Sequence, residues 1–368
     1  MPITMFVWKV ASRCNLDCSY CYVYQGEDQS WRRQPRYMSV AVAEAAAARI
    51  LDYCRQSSLP SVNINFHGGE PLLAGTERLQ ALVAAIEAIF ADSGIEVRSA
   101  LQSNGLLVKP SALKWLAEHG IGLYLSLDGP PQVNDRQRVD RKGRAVTHLI
   151  ERRITDLLSS EYRRIFQGFL SVVDPSFPAR ETFDYLAGFK PPAIDFLLPL
   201  QNHDNFEQRD YDRWLIDCFD HWFDGGSGIR VRYFERIIAG LLLARSPHGN
   251  ATVNALVVET DGTYEIEDTL KTAYGGACGL DLNVFEHTLS DVLHSAAFLR
   301  FFRDLTPASD CQRCEFVGSC NGGHISHRYS RARRYDNPSV YCEHIKALTR
   351  HISARLADEL RNRRQRAN

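Results

Sequence analysis

Between residues 5 and 223, short apolar runs of strand length alternate with longer stretches of helical periodicity. Residues 5–11, 61–66, 96–101, 122–127, 164–173 and 194–200 read as strands. Residues 38–55, 76–90, 111–118, 146–158, 179–187 and 211–223 read as the helices between and after them. A strand that is followed by a helix and then by another strand returns to the same sheet as a parallel neighbour, through a right-handed crossover. Six such units are too few to close the eight-stranded barrel. The expected fold class is therefore α/β, an open partial (β/α)6 TIM-type barrel whose wide mouth admits a large substrate.

The loop after the first strand reads S-R-C-N-L-D-C-S-Y-C-Y-V-Y over residues 12–24. Ligand sites of parallel α/β proteins lie at this end of the strands. Cys14, Cys18 and Cys21 are separated by three and then two residues, and no fourth Cys or His stands nearby. A structural zinc ion normally takes four protein ligands, whereas a 4Fe-4S cluster held by three thiolates keeps one iron open to a small molecule. A disulfide reading leaves one thiol over. The opening M-P-I-T-M-F-V-W-K-V carries no secretory leader, and no window approaches roughly eighteen apolar residues. A soluble, cytoplasmic chain is expected, in which ten cysteines form a metal-site pattern. With 43 basic and 44 acidic residues, nothing global points to nucleic acid or a membrane as partner.

Two further elements sit at the same ends of later strands. Gly68 and Gly69 let the backbone approach a ligand and Glu70 sets a carboxylate beside it. Ser126 and Asp128 lie at the end of the fourth strand, and Arg138 follows in a basic loop with Arg136 and Arg141. A guanidinium suits a carboxylate because it grips it by two parallel hydrogen bonds.

Asp224-Gly225-Gly226-Ser227-Gly228 is the clearest hinge. It divides the chain into a barrel over 1–225, a bridging helix and linker over 226–250, a second metal region over 251–345 and a basic helix over 346–368. Residues 230–244 read as helix, and 255–266 as a hairpin turning at Asp261-Gly262. In the metal region Cys311, Cys314 and Cys320 are spaced by two and five residues, and Cys342 follows after twenty-one more. Four thiols complete a shell for zinc or for a second iron–sulfur cluster. Cys278 and His324 supply at most part of another site.

The first cysteine loop, C-x-x-x-C-x-aromatic-C with Tyr20 at the aromatic position, resembles the hallmark of the radical S-adenosylmethionine enzymes. That resemblance implies a 4Fe-4S cluster on Cys14, Cys18 and Cys21, with S-adenosylmethionine bound at its open iron and cleaved to a 5'-deoxyadenosyl radical. It implies that the Gly68-Gly69-Glu70 element meets the methionine amino group, and that Ser126 and Arg138 contact the same cofactor. The spacing of Cys311, Cys314, Cys320 and Cys342 resembles the SPASM region of peptide-modifying radical enzymes and implies one auxiliary 4Fe-4S cluster. His324 stands where the full pattern has another Cys, and no Cys follows the Asp261–Tyr264 hairpin.

The stretches D-Q-S-W-R-R-Q-P, G-G-H-I-S-H-R-Y and D-N-P-S-V-Y-C-E-H resemble the FxsB-type maturases that form three-residue cyclophanes. This likeness implies a ribosomally synthesised precursor peptide as substrate and flavodoxin or ferredoxin as external electron donor. It implies a carbon–carbon bond from a side-chain Cβ to an aromatic ring. Restoring the ring releases one electron, for which the auxiliary cluster is an acceptor, and one proton, for which Asp268, Asp281, His324 and His327 are candidate bases. The competing readings are a sulfatase-type formylglycine or thioether maturase and a non-catalytic zinc scaffold.

Overall fold

The computed structural model describes residues 2–242 and 255–367. Its strands are β1 (Met5–Ala11), β2 (Ser61–Gly68), β3 (Glu96–Ser103), β4 (Gly122–Ser126), β5 (Phe166–Val172), β6 (Ala193–Leu197), β7 (Arg230–Val231), β8 (Ala255–Val258), β9 (Thr263–Glu265) and β10 (Gly279–Asn283). The helices are α1 (Val40–Gln56), α2 (Thr76–Phe90), α3 (Pro110–Glu118), α4 (Pro131–Gln137), α5 (Thr147–Leu158), α6 (Ala179–Gly188), α7 (Tyr211–Gly225), α8 (Arg232–Leu242), α9 (Leu289–His294), α10 (Ala296–Asp304), α11 (Val317–Cys320) and α12 (Cys342–Ala367). The alternation of strand and helix through β6 is the one expected, and an open partial TIM-type barrel fits it. The chain forms two compact units, residues 1–127, 134–169 and 252–303 in one and 128–133, 170–251 and 304–368 in the other.

In the first unit β1 lies between β2 and β8, and β2, β3 and β4 follow outward, all parallel. Phe6, Trp8 and Val10 of β1 and Val62, Ile64 and Phe66 of β2 are buried on alternate positions, the period of a sheet face covered by helices. Helix α1 starts where Ser39 accepts a hydrogen bond from the Val42 amide, an N-cap that satisfies one of the orphan donors of the first turn. Its Ala43, Ala46, Ala47 and Ile50 form the buried stripe. The hairpin of β8 and β9 turns at Gly262, whose φ of +89° suits glycine. Its first strand pairs with β1 along Met5↔Ala255 to Trp8↔Val258. Leu256, Val257 and Val258 are all buried, so an apolar strand with no polar face has added to an otherwise open sheet edge.

In the second unit β6 and β7 pair in parallel. Helix α7 packs against α6 and α12, and α12 also packs on α8. The sequence expectation of one helix over 230–244 resolves into β7 and α8, and residues 243–244 lie outside the described ones. Helix α4 forms within the stretch expected to be a basic loop. Among the described residues no helix is long and apolar enough to cross a membrane.

Candidate active site

The cysteine loop leaves β1 at Ala11 and is strapped down by main-chain bonds. The Cys21 amide donates to Cys18 O at 3.1 Å, the Asp17 amide to Val139 O at 2.8 Å and the Ser19 amide to Gln137 O at 3.0 Å. Arg141 Nε donates to Cys14 O at 3.1 Å. The result is three partly exposed free thiols on one short loop. Burial, then Glu70, Cys18 and Cys21, push the Cys14 thiol up to about 12. Such a thiol stays protonated until a cation replaces its proton, which is how a metal centre draws thiolates together. The soft donors, their spacing and their mutual repulsion fit an iron–sulfur cluster.

The two glycines at the end of β2 have a reason within the fold, besides the ligand approach expected from the sequence. A Cβ on Gly68, whose φ is +144°, would stand 2.1 Å from Ala11 O; one on Gly69 would stand 1.9 Å from the Tyr24 hydroxyl and 2.4 Å from Arg13 O. What the bare backbone approaches is the cysteine loop itself. The Gly69 amide donates to Ala11 O and the Glu70 amide to Arg13 O, which locks that loop against the end of β2.

Glu70 is fully buried. Its Oε1 accepts from the Leu72 amide and Ser103 Oγ, and Oε2 from the Asn104 amide at 2.8 Å. Burial raises this carboxyl to about 7 against those three bonds and Arg138. Asn104, which the sequence reading passed over, bridges this carboxylate to the cysteine loop: its Nδ2 donates to Asn15 Oδ1 at 2.8 Å and approaches Cys14 Sγ at 3.7 Å. Its only advance signal was its place just beyond the third strand, where Glu70 stands beyond the second. Arg138 is buried and its Nη1 donates to the Tyr20 hydroxyl at 2.8 Å. Ser126 Oγ accepts from Gln102 Nε2 at 3.5 Å. Asp128 lies in the second unit, where its Oδ1 takes the Val172 amide at 3.0 Å.

The candidate bases separate clearly. Asp268 joins a buried polar group in the first unit: Lys9 Nζ pairs with its Oδ2, the Tyr22 hydroxyl donates to the same oxygen at 2.7 Å, and Lys9 Nζ also meets His67 Nδ1 at 3.1 Å. Burial works to raise the Asp268 carboxyl, but Lys9 above all, with His67 and Tyr22, holds it well below the ordinary range. His67 is itself pushed down to about 3 by burial and by Lys9, so at neutral pH it brings no charge and the ammonium does the work. Asp281 is exposed on β10 at a φ of +56°. His324 is exposed and accepts the Ser326 amide on Nδ1 at 3.3 Å. His327 is buried with neither ring nitrogen hydrogen-bonded.

Cys278 is buried in the first unit and donates its thiol proton to Glu267 O at 3.3 Å. Beside it Lys271 makes a buried ion triad, 3.1 Å to Glu259 Oε1 and 2.7 Å to Glu265 Oε1. His324 belongs to the other unit.

In that second unit Cys311, Cys314, Cys320 and Cys342 all line one cavity of about 180 Å³. Phe316, Val317, Pro338 and Ile345 supply apolar walls. Four soft thiols at one cavity with apolar walls fit an iron–sulfur cluster. Among the described residues no three His, Cys, Asp or Glu side chains gather around a point as they would for a single ion.

Residues 8–157 match the Radical SAM superfamily. Over those residues, with the cysteine loop at the end of β1, the chain carries the catalytic region of an enzyme whose cofactors are a 4Fe-4S cluster and S-adenosylmethionine. More particularly, it is similar to the cysteine-type anaerobic sulfatase-maturating enzyme of Clostridium perfringens, 25% identical over 98% of this chain and 99% of that one. The solved structure of native anSMEcpe with bound AdoMet has a TM-score of 0.83 at 24% identity, covering 98% of this chain and 100% of that one. Streptococcus suis SuiB bound to precursor peptide SuiA aligns with a TM-score of 0.61 at 16% identity, over 88% of this chain and 72% of that one.

Proposed function

We propose that this enzyme is a peptide maturase that joins an aromatic ring to a nearby side-chain Cβ in a ribosomally synthesised precursor peptide, forming a cyclophane. Bound at Cys14, Cys18 and Cys21, the cluster and S-adenosylmethionine supply a 5'-deoxyadenosyl radical. Tyr20, Arg138, Ser126 and the Gly68-Gly69-Glu70 element would hold the cofactor; Glu70 keeps one free acceptor position on Oε2. Cys311, Cys314, Cys320 and Cys342 would hold one auxiliary 4Fe-4S cluster. The functional division is a barrel to residue 225, a linker to 250, an auxiliary region to 345 and the terminal helix. Reducing power would come from flavodoxin or ferredoxin in the cytoplasm.

The observation that carries this reading is the state of Asp268. A carboxylate pinned by Lys9 and Tyr22 is a weak base. That weakness suits a ring cation, which is a strong acid once the ring has lost an electron, and suits a thiol or hydroxyl proton poorly. Asp268 is therefore the base we assign ahead of Asp281 and His324. The likeness of SuiB, solved with a precursor peptide, and the FxsB-like stretches at both ends support the same substrate class.

The similarity to a cysteine-type sulfatase-maturating enzyme over nearly the full length favours a second reading, oxidation of a Cys or Ser side chain to an aldehyde. Anaerobic reaction with each peptide class and tandem mass spectrometry separates the two. The cyclophane reading expects a product short of two hydrogens, inert to hydrazines and unfragmented between the joined residues. A hydrazine-reactive product from a Cys or Ser peptide, with aromatic peptides unchanged, would replace it by the second reading.

A further inference from the structure

Arg328 lies fourteen residues before Cys342, the last cysteine of the second cluster, fully buried on a short 3-10 segment. All five of its hydrogen bonds go to main-chain carbonyls: Nε to Tyr335 O at 3.0 Å and Asn337 O at 3.3 Å, Nη1 to Leu305 O at 3.2 Å, and Nη2 to Thr306 O at 2.6 Å and Tyr335 O at 2.7 Å. Four of the five N–H groups find carbonyls, and no carboxylate pairs with the guanidinium among the described residues: carbonyl dipoles solvate a cation without neutralising it. A buried charge normally has a paired opposite.

The other charged groups at this cavity are already neutralised. Lys346 Nζ meets Glu343 Oε1 at 2.9 Å and Asp310 pairs with Arg333 at 3.2 Å. Arg328 stands behind the cavity wall: a Cβ on Gly322, which lines the cavity at a φ of +81°, would lie 3.9 Å from Arg328 Nη1. Burial lowers the guanidinium's pKa, and the group that opposes this most is Cys311, ahead of Asp304 and Asp336.

We infer that Arg328 is the counter-charge of the auxiliary cluster: the guanidinium offsets the negative charge that four thiolates bring, and so sets the cluster's reduction potential upward. This rests on the assignment of a 4Fe-4S cluster to Cys311, Cys314, Cys320 and Cys342. The carbonyl cage ties the loops 305–306 and 335–337 to one side chain and fixes the cation behind the cavity wall. A cluster with a higher potential accepts an electron more readily, which is the direction an electron acceptor in peptide oxidation needs.

The test uses the full chain with Cys14, Cys18 and Cys21 all changed to Ala, so that only the second site can hold iron. Reconstituted anaerobically, it is titrated with a reductant and followed by EPR of the reduced cluster. Loss of a unit charge at a separation of about 12 Å, with an effective dielectric constant of about 20, alters the reduction equilibrium by about tenfold, or about 59 mV for a one-electron couple. Arg328→Met should therefore move the midpoint down by that amount with iron content retained, and Arg328→Lys, which keeps the charge and loses the fork, should stay near the parent. An unchanged midpoint in Arg328→Met, equal shifts in both variants, or loss of iron in both would overturn the inference and leave Arg328 a mechanical clamp. A parent that binds no iron would instead overturn the assignment of the cluster itself.

Discussion

Lys9→Met removes one half of a buried ion pair on β1, the strand that leads into the cysteine loop. Lys9 is 3% exposed, and its ammonium is the only cation on Asp268 among the described contacts. The variant leaves Asp268 with the Tyr22 hydroxyl alone. Stripping one partner from a buried pair costs roughly 3–5 kcal/mol, because the other charge stays desolvated. At about 2–4 °C per kcal/mol, that is a fall in Tm of roughly 6–20 °C near neutral pH. The sign with pH follows from the direction of the shift. The folded Asp268 carboxyl lies below its ordinary 3.8, so its stabilisation is complete above that value and is lost as pH falls through it toward the folded value. Wild type and Lys9→Met should therefore converge as pH is lowered past about 3.8. Lys9→Met with Asp268→Leu should regain more than half of the loss, since an apolar pair of similar volume leaves no stranded charge. Differential scanning fluorimetry of the apo chain across pH reads all three. Equal Tm at neutral pH, or a gap that stays constant into acid, would refute the pairing.

Alanine at Cys14, Cys18 or Cys21 should abolish 5'-deoxyadenosine release, measured by chromatography, while Cys314→Ala should retain uncoupled release and lose the crosslinked product. Gly69→Ala drives a methyl to within 1.9 Å of the Tyr24 hydroxyl and 2.4 Å of Arg13 O; overpacking of this kind costs roughly 1–3 kcal/mol, and the displaced loop should also weaken cluster reconstitution, read as iron per chain. Glu70 carries the opposite pH sign to Asp268: its folded carboxyl at about 7 stands above the ordinary 4.5, so its contribution is present below 4.5 and lost as pH rises toward 7. The loss is about 3 kcal/mol at most, and urea midpoints of Glu70→Gln should lack that slope. Arg138→Lys breaks the bond to Tyr20 and should weaken S-adenosylmethionine binding in calorimetry about tenfold or more, because an ammonium cannot reproduce a two-pronged grip.

Much of this protein is legible one residue at a time. Strand and helix periods in the first 225 residues return the observed elements to within a few positions because each element buries one face or stripe, and burial writes its period into the sequence. The spacing of Cys14, Cys18 and Cys21 puts three soft thiols on one tight loop, where residues close in sequence are close in space. The same local logic marked Cys311, Cys314 and Cys320. What spacing cannot express is contact between distant stretches. Only the folded chain sets β8 against β1, brings Asp268 onto Lys9 and Tyr22 from more than two hundred residues away, spends Gly68 and Gly69 on the cysteine loop, and closes a cage of four carbonyls around Arg328. These depend on packing and desolvation, which belong to the neighbourhood of a side chain in three dimensions and leave no period in its sequence.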